Sequence, residues 1–256
     1  MKMLIIFVLL LTWLPAAGSL ANDGPEVPLA KVIQALETPF RADAPSGRAI
    51  RDFQADFIQN AYLAALERVE EGSGRVAVRF DRDGLRLTPL FRWEYTAPTV
   101  QEIISDGRTV WVYLPENSQV LESVLPADGL EEREDPLAFL TGLGELSKRF
   151  RISWASPSRN EQGDYQLLLQ PLRPSSMVEQ LVLTVDSAAV PGSGRKAAGR
   201  LIYPVRSATI FGPSESRTTI VFRNIRLNQG LAADRFTFKA PEGVEVLRPE
   251  QGGLGF

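Results

Sequence analysis

The sequence contains no histidine and no cysteine. This removes the commonest general base, Ser-His and Cys-His catalysis, the thiolate nucleophile, disulfides and the commonest transition-metal ligand. Acid–base chemistry is then left to carboxylate pairs: Glu70-Glu71, Asp81 with Asp83, and Glu131-Glu132 with Glu134-Asp135. All sit in hydrophilic stretches, where carboxylates are normally solvated and titrate without perturbation. Asp81-Arg82-Asp83-Gly84 has the opening of a calcium loop but not its later ligands or closing glutamate. Gly72-Ser73-Gly74 and Gly142-Leu143-Gly144 lack the rest of a phosphate cradle. The expectation is a protein that is not an enzyme and takes no cofactor and no metal.

Greater weight falls on two aromatic runs, Phe91-Arg92-Trp93-Glu94-Tyr95 and Val110-Trp111-Val112-Tyr113. On ordinary strands these side chains form a core against helices. On a sheet curved into an incomplete barrel, the same side chains line a ligand cavity. Alternation allows only one face of each strand to look inward.

The elements around these runs follow from hydrophobic period. Lys2, an apolar stretch from Met3 to Trp13 and a small-residue close at Ser19-Leu20-Ala21 predict a secretory signal peptide over residues 1–21, too short for a spanning helix. Residues 22–256 are expected to form a single domain, large enough to bury a core without staples. No cysteine follows the cleavage site to accept a lipid anchor. The net charge of −3 with interspersed signs gives no footprint for nucleic acid and no polybasic membrane surface.

Leu29, Val32, Ile33 and Leu36 after Pro28 predict an amphipathic helix. Between Ile50 and Glu71 the pattern is ambiguous: Phe53 and Phe57 fit a helix or a strand, and propensity after Ala61 favours helix. From Gly74 the period becomes two. Strands are expected through Val76–Phe80 and Phe91–Tyr95 with a turn at Asp83-Gly84, then after the Ser105-Asp106-Gly107 turn at Val110–Leu114, a strand covered on both faces. Asp135-Pro136 opens a short helix with Leu137, Phe139, Leu140 and Leu143. Further strands are read at 151–154, 165–170, 180–185, 201–211, 218–227 and 236–238, separated by Gly, Pro and Ser clusters. Helices before and between sequential strands describe an α+β antiparallel sheet.

Leu90-Phe91-Arg92-Trp93-Glu94-Tyr95, the segment Ile104-Ser105-Asp106-Gly107-Arg108-Thr109-Val110-Trp111-Val112-Tyr113 with Pro115 and Gln119, and Phe236-Thr237-Phe238 followed by Pro241-Glu242-Gly243-Val244-Glu245-Val246 resemble, in order and spacing, the signature segments of the LolA family. These are periplasmic carriers of outer-membrane lipoproteins in Gram-negative bacteria. Phe53 to Gln59 resembles the family's first strand, against a helix there. The resemblance runs over nearly all of the chain after the signal peptide.

It implies a strongly curved antiparallel sheet, an unclosed β-barrel covered by a few helices over an apolar cavity. The implied role is a periplasmic chaperone that takes acylated lipoproteins from an inner-membrane lipoprotein-releasing ABC transporter to an outer-membrane lipoprotein receptor, acting as a monomer. The alternative is a periplasmic binding protein of the same fold that carries another lipid or senses a hydrophobic ligand. Cavity or mouth residues are expected at Phe91, Trp93, Tyr95, Trp111 and Tyr113, with Phe139, Leu140 and Leu143 on the lid side. In family members an arginine just before the Phe-x-Trp segment latches the lid, but here Arg86-Leu87-Thr88-Pro89 puts Leu87 at that place. Arg79, Arg82 and Arg86 are the candidates to supply the charge from a shifted position. No family role attaches to 191–200.

Overall fold

The computed structural model describes residues 27–84, 86–125, 142–195, 197 and 199–248. The period-two segments become twelve strands of one sheet: β1 Asp52–Leu63, β2 Arg68–Asp83, β3 Arg86–Ala97, β4 Gln101–Ser105, β5 Thr109–Leu114, β6 Gln119–Val124, β7 Phe150–Arg159, β8 Tyr165–Pro171, β9 Gln180–Val185, β10 Val205–Phe211, β11 Arg217–Leu227 and β12 Glu245–Leu247. Their order across the sheet is β12-β6-β5-β4-β3-β2-β1-β11-β10-β9-β8-β7. Every neighbouring pair is antiparallel except β12 on β6, which is parallel. The two outermost strands are not paired with each other, so the sheet is open.

The curvature can be measured from side chains. Trp93 on β3 and Phe222 on β11 are separated by three strand spacings, which on a flat sheet is roughly 14 Å. Their ring centroids lie 6.3 Å apart. The face carrying both is therefore strongly concave, and a single apolar core gathers there from β1, β2, β3, β5, β8, β9, β10 and β11.

Two helical segments cap this concave face. Helix α1, Leu29–Glu37, buries Val32 and Leu36, one turn apart on one side, and runs into a 3₁₀ turn at Thr38–Phe40 that buries Pro39 and Phe40. The second segment is a 3₁₀ turn at Leu143–Glu145 leading into the single turn of α2, Leu146–Arg149, with Leu143 and Leu146 buried. A Cβ on Gly144 would stand 2.6 Å from the carbonyl oxygen of Phe40, so only glycine lets the two segments approach this closely. Glu37 Oε1 accepts from the Ser147 amide at 2.6 Å, a second tie between them.

Three sequence expectations are corrected. Residues after Ala61 are strand to Leu63, because β1 is laddered on both sides, to β2 and β11, and pairing outweighs local helix propensity. Only Ala64–Leu66 turn, as a 3₁₀ hairpin tip. The strand read from Leu201 starts at Val205, and Phe236 closes a 3₁₀ turn, Ala233–Phe236, where the 236–238 strand was expected. The helix expected from Asp135 lies outside the described residues, apart from its Leu143 end.

Turns follow their residues. Asp106 Oδ1 accepts from the amides of Arg108 and Thr109, both at 2.8 Å, and Gly107 takes φ +84°, which closes the β4–β5 hairpin.

Candidate functional site

Along β1 to β3 the concave face is a continuous aromatic surface. Phe57 stacks edge-on against Trp93 and Tyr95, with centroids 4.9 and 4.8 Å away. Phe53 continues the row towards Tyr203 at 4.5 Å, and Phe40 of the cap meets Phe80 at 5.6 Å and Tyr203 at 5.8 Å. Phe91, Trp93, Tyr95 and Leu143 are all buried in this one core. The Tyr95 hydroxyl donates to Gln59 Oε1 at 2.9 Å.

Alternation sends the other half of the predicted set elsewhere. Val110 and Val112 face the concave side, so Trp111 and Tyr113 point to the convex one, where Phe238 packs on them at 6.2 and 5.4 Å. There Phe236 covers Ala77 and Leu90 in a small separate cluster. The strand is indeed covered on both faces, but by two different covers. Phe139 and Leu140 lie outside the described residues.

The three arginines also separate. Arg79 is on the convex side, where it pairs with Asp81 at 2.6 Å and donates to the Leu231 carbonyl at 2.7 Å. Arg82 shares the parity of Val76, Val78 and Phe80 and reaches over the rim to the cap. Its Nη1 donates to the Ala42 carbonyl at 2.9 Å and its Nη2 to that of Arg41 at 3.2 Å. The cross-strand partner of Arg82 is Leu87. The Arg86 side chain lies outside what is described.

In this structure the concave face is covered by the protein's own side chains: Val32, Leu36, Phe40, Leu143 and Leu146 are at most 2% exposed. The apolar interior expected for a ligand is thus occupied. Two open depressions flank the cap. One runs along α1 past Glu37, Arg41 and Ser147, and the other lies beside Arg82 between Asp52, Phe80 and Leu231. Both mix charged and apolar lining.

Of the carboxylates singled out in the sequence, Asp81 is engaged by Arg79 and Glu70 by Arg68. Among the described residues no group of three or more Asp, Glu, His or Cys gathers to hold a metal ion.

The stretch 191–200 acquires an anchor. Arg195 donates through Nη1 to Ser187 Oγ at 3.1 Å and to the Gln162 carbonyl at 3.1 Å, beside the buried carboxylate of Asp164. That carboxylate accepts the amide and hydroxyl of Ser187, both at 3.0 Å.

Sequence reading missed Phe40 and Tyr203. Phe40 lies beyond the apolar set of the predicted helix, and Tyr203 lies inside the run read as the 201–211 strand, where nothing set it apart from its neighbours. Burial pushes the Tyr203 phenol far above its ordinary range. Its hydroxyl is the one buried side-chain oxygen without a hydrogen-bond partner among the described residues.

Comparison with known proteins adds relatives. Residues 48–193 match the family model described as outer membrane lipoprotein carrier protein LolA. An outer-membrane lipoprotein carrier protein from Chromohalobacter salexigens is 29% identical over 227 residues, 85% of this chain and 94% of the relative. One from Xanthomonas oryzae pv. oryzae is 30% identical over 200 residues, 78% and 83%. Among solved structures, a LolA superfamily protein from Nitrosomonas europaea aligns with TM-score 0.43 at 14% identity, covering 83% of this chain and 98% of that one.

Proposed function

The chain belongs to the LolA family, and from that premise we propose that it is a periplasmic carrier that shelters the acyl chains of lipoproteins on the concave face of its sheet. The supporting observation is the pairing of a broad aromatic floor with a cap built from helical segments outside the strand order of the sheet. The cap is held by Arg82 across the rim and by two backbone hydrogen bonds, Ile50 N to Pro39 O and Leu172 N to Arg149 O, both at 2.8 Å. The structure is then a closed form in which the cap's side chains cover the floor, and acyl chains enter as those side chains leave.

Energies make that exchange reversible. Burying a large aliphatic or aromatic side chain is worth about 1.5–3 kcal/mol, so the five cap side chains contribute on the order of 10 kcal/mol. A fourteen-carbon acyl chain at about 0.8 kcal/mol per methylene contributes on the order of 11 kcal/mol. Substituting one for the other is close to neutral. A carrier needs this, because it must give its cargo up to a better binder as well as take it. Phe91, Trp93, Tyr95 and Leu143 are the ligand-facing residues of the sequence expectation that this reading retains.

Arg82 is the latch. Leu87, which occupies the family's latch position, lies directly across from it on the neighbouring strand. The charge has moved one strand over while keeping its side of the sheet.

The remaining terms of the proposal follow the resemblance read from the sequence. A signal peptide over 1–21 delivers a single domain, 22–256, to the periplasm as a monomer. An inner-membrane ABC transporter loads it and an outer-membrane receptor unloads it. The test is a release assay with inner-membrane vesicles and the purified mature chain. Lipoprotein should leave the vesicles in a soluble complex with the protein, and lipoprotein that stays in the membrane fraction contradicts the carrier role.

A further inference from the structure

The Tyr203 hydroxyl is out of place as a core group. It sits among Phe40, Phe53 and Phe222, at 5.8, 4.5 and 6.1 Å between centroids, in a fully buried position with nothing to bond. An unmet buried hydroxyl is costly, and such groups are rare in folded proteins. Phenylalanine would fill the same space without that cost. The ring rests between the cap, through Phe40, and the floor, through Phe53 and Phe222. Displacing the cap would remove Phe40 from the ring and open the layer in which Tyr203 stands.

Tyr203 also stands at a defined end of that layer. Phe53 pairs with Val78, two residues from Phe80 and four from Arg82, the rim where the cap is latched. In the other direction the aromatic row runs on to Phe57, Trp93 and Tyr95. A chain threaded from the latched rim presents its polar root to Tyr203 and its methyl end to the aromatics. A phenol keeps its proton at neutral pH, so Tyr203 offers a donor.

Resting on the carrier reading, we infer that the Tyr203 hydroxyl is the binding group for the acyl carbonyl, donating a hydrogen bond to the ester or amide oxygen at the root of a bound chain. The group unmet in the closed form is then met only in the loaded form. Acyl groups are selected over plain hydrocarbon, and loading gains a polar term that the cap side chains cannot supply on reclosing.

The test displaces a fluorescent fatty-acid probe from the purified chain with three ligands that each carry two eight-carbon chains: dioctanoylglycerol, its dioctyl ether analogue and the bis-octanoyl amide of 2,3-diaminopropanol. The protein should favour at least one carbonyl ligand over the ether by about five-fold, the worth of one net hydrogen bond. The stronger of the two tells ester from amide. Tyr203→Phe should bind all three alike and unfold at the same temperature or higher. Carbonyl preference absent from the parent, preference retained in Tyr203→Phe, or a lowered melting temperature for that variant each overturns the inference while leaving the carrier role standing. Failure of the parent to bind any of the three overturns the carrier role itself, and this inference with it.

Discussion

The two faces of the sheet carry two aromatic clusters with different covers. On the concave face a large aromatic floor lies under α1, which has no ladder to the sheet, and the 143–149 segment, tied to it only at its end, where Arg149 O accepts from Leu172 N at 2.8 Å beside β7. On the convex face the small Trp111–Tyr113–Phe238 cluster lies under the chain that follows β11. That cover is stitched down: Asp52 accepts the amides of Gln229 and Gly230 at 2.7 and 2.9 Å, Arg79 holds the Leu231 carbonyl, and β12 joins the sheet beside β6. The larger apolar area thus has the more detachable cover. A protein built only for stability would do the reverse, since apolar area is what a fixed cover best secures.

Mutations should separate the two faces. Trp93→Ala removes a fully packed ring touching Phe57 and Phe222 and should cost about 3–5 kcal/mol in urea unfolding, whereas Trp111→Ala, half-exposed, should cost less than half of that. Equal losses would erase the distinction between floor and outer cluster. Gly144→Ala forces a Cβ against the Phe40 carbonyl and should loosen the cap by about 1–3 kcal/mol, seen as stronger binding of an apolar dye with the sheet's circular dichroism intact. Unchanged dye binding would mean that the cap segments do not move as one unit.

Arg82→Met keeps the side chain's stem and deletes its two hydrogen bonds to the cap. About 1 kcal/mol is at stake, or roughly five-fold faster amide exchange in 29–40. Arg79→Met, on the other face, should leave that exchange unaltered.

The smallest effect lies at the C-terminal strand. The Arg248 side chain hydrogen-bonded to Glu122 holds that carboxyl below its ordinary value near 4.5, helped by Trp111 Nε1 and opposed by partial burial. A lowered value stabilises above the unfolded value and is lost as pH falls through the folded one. Docking of β12 should therefore weaken only below about pH 4.5, by less than ~1 kcal/mol because the pair is largely solvated. Amide exchange in 245–247 measured down to pH 3 would register it, and Glu122→Gln should flatten the dependence.

Much of this was legible in the sequence because alternation is a strong local signal. It placed Phe91, Trp93 and Tyr95 on one face together, and the Ser-Asp-Gly turn where the Asp106 and Gly107 geometry puts it. What stayed illegible depends on the partner across space. Ala61 to Leu63 carry no mark of the β11 strand that makes them a ladder, and Trp111 and Tyr113 share the composition of the floor while their register turns them away from it. The same holds for the latch. Leu87 aligns where an arginine belongs, and only the β2–β3 pairing reveals that Arg82 stands opposite.

The central claim, that cargo replaces the cap on the concave face, is tested most directly by hydrogen–deuterium exchange of the mature chain with and without a diacylated lipopeptide. Loading should strip protection from 29–40 and 143–149 while β1, β2 and β3 keep theirs and 231–238 stays unchanged. Saturating lipopeptide that leaves the cap as protected as before, or that deprotects the convex cover instead, would contradict it.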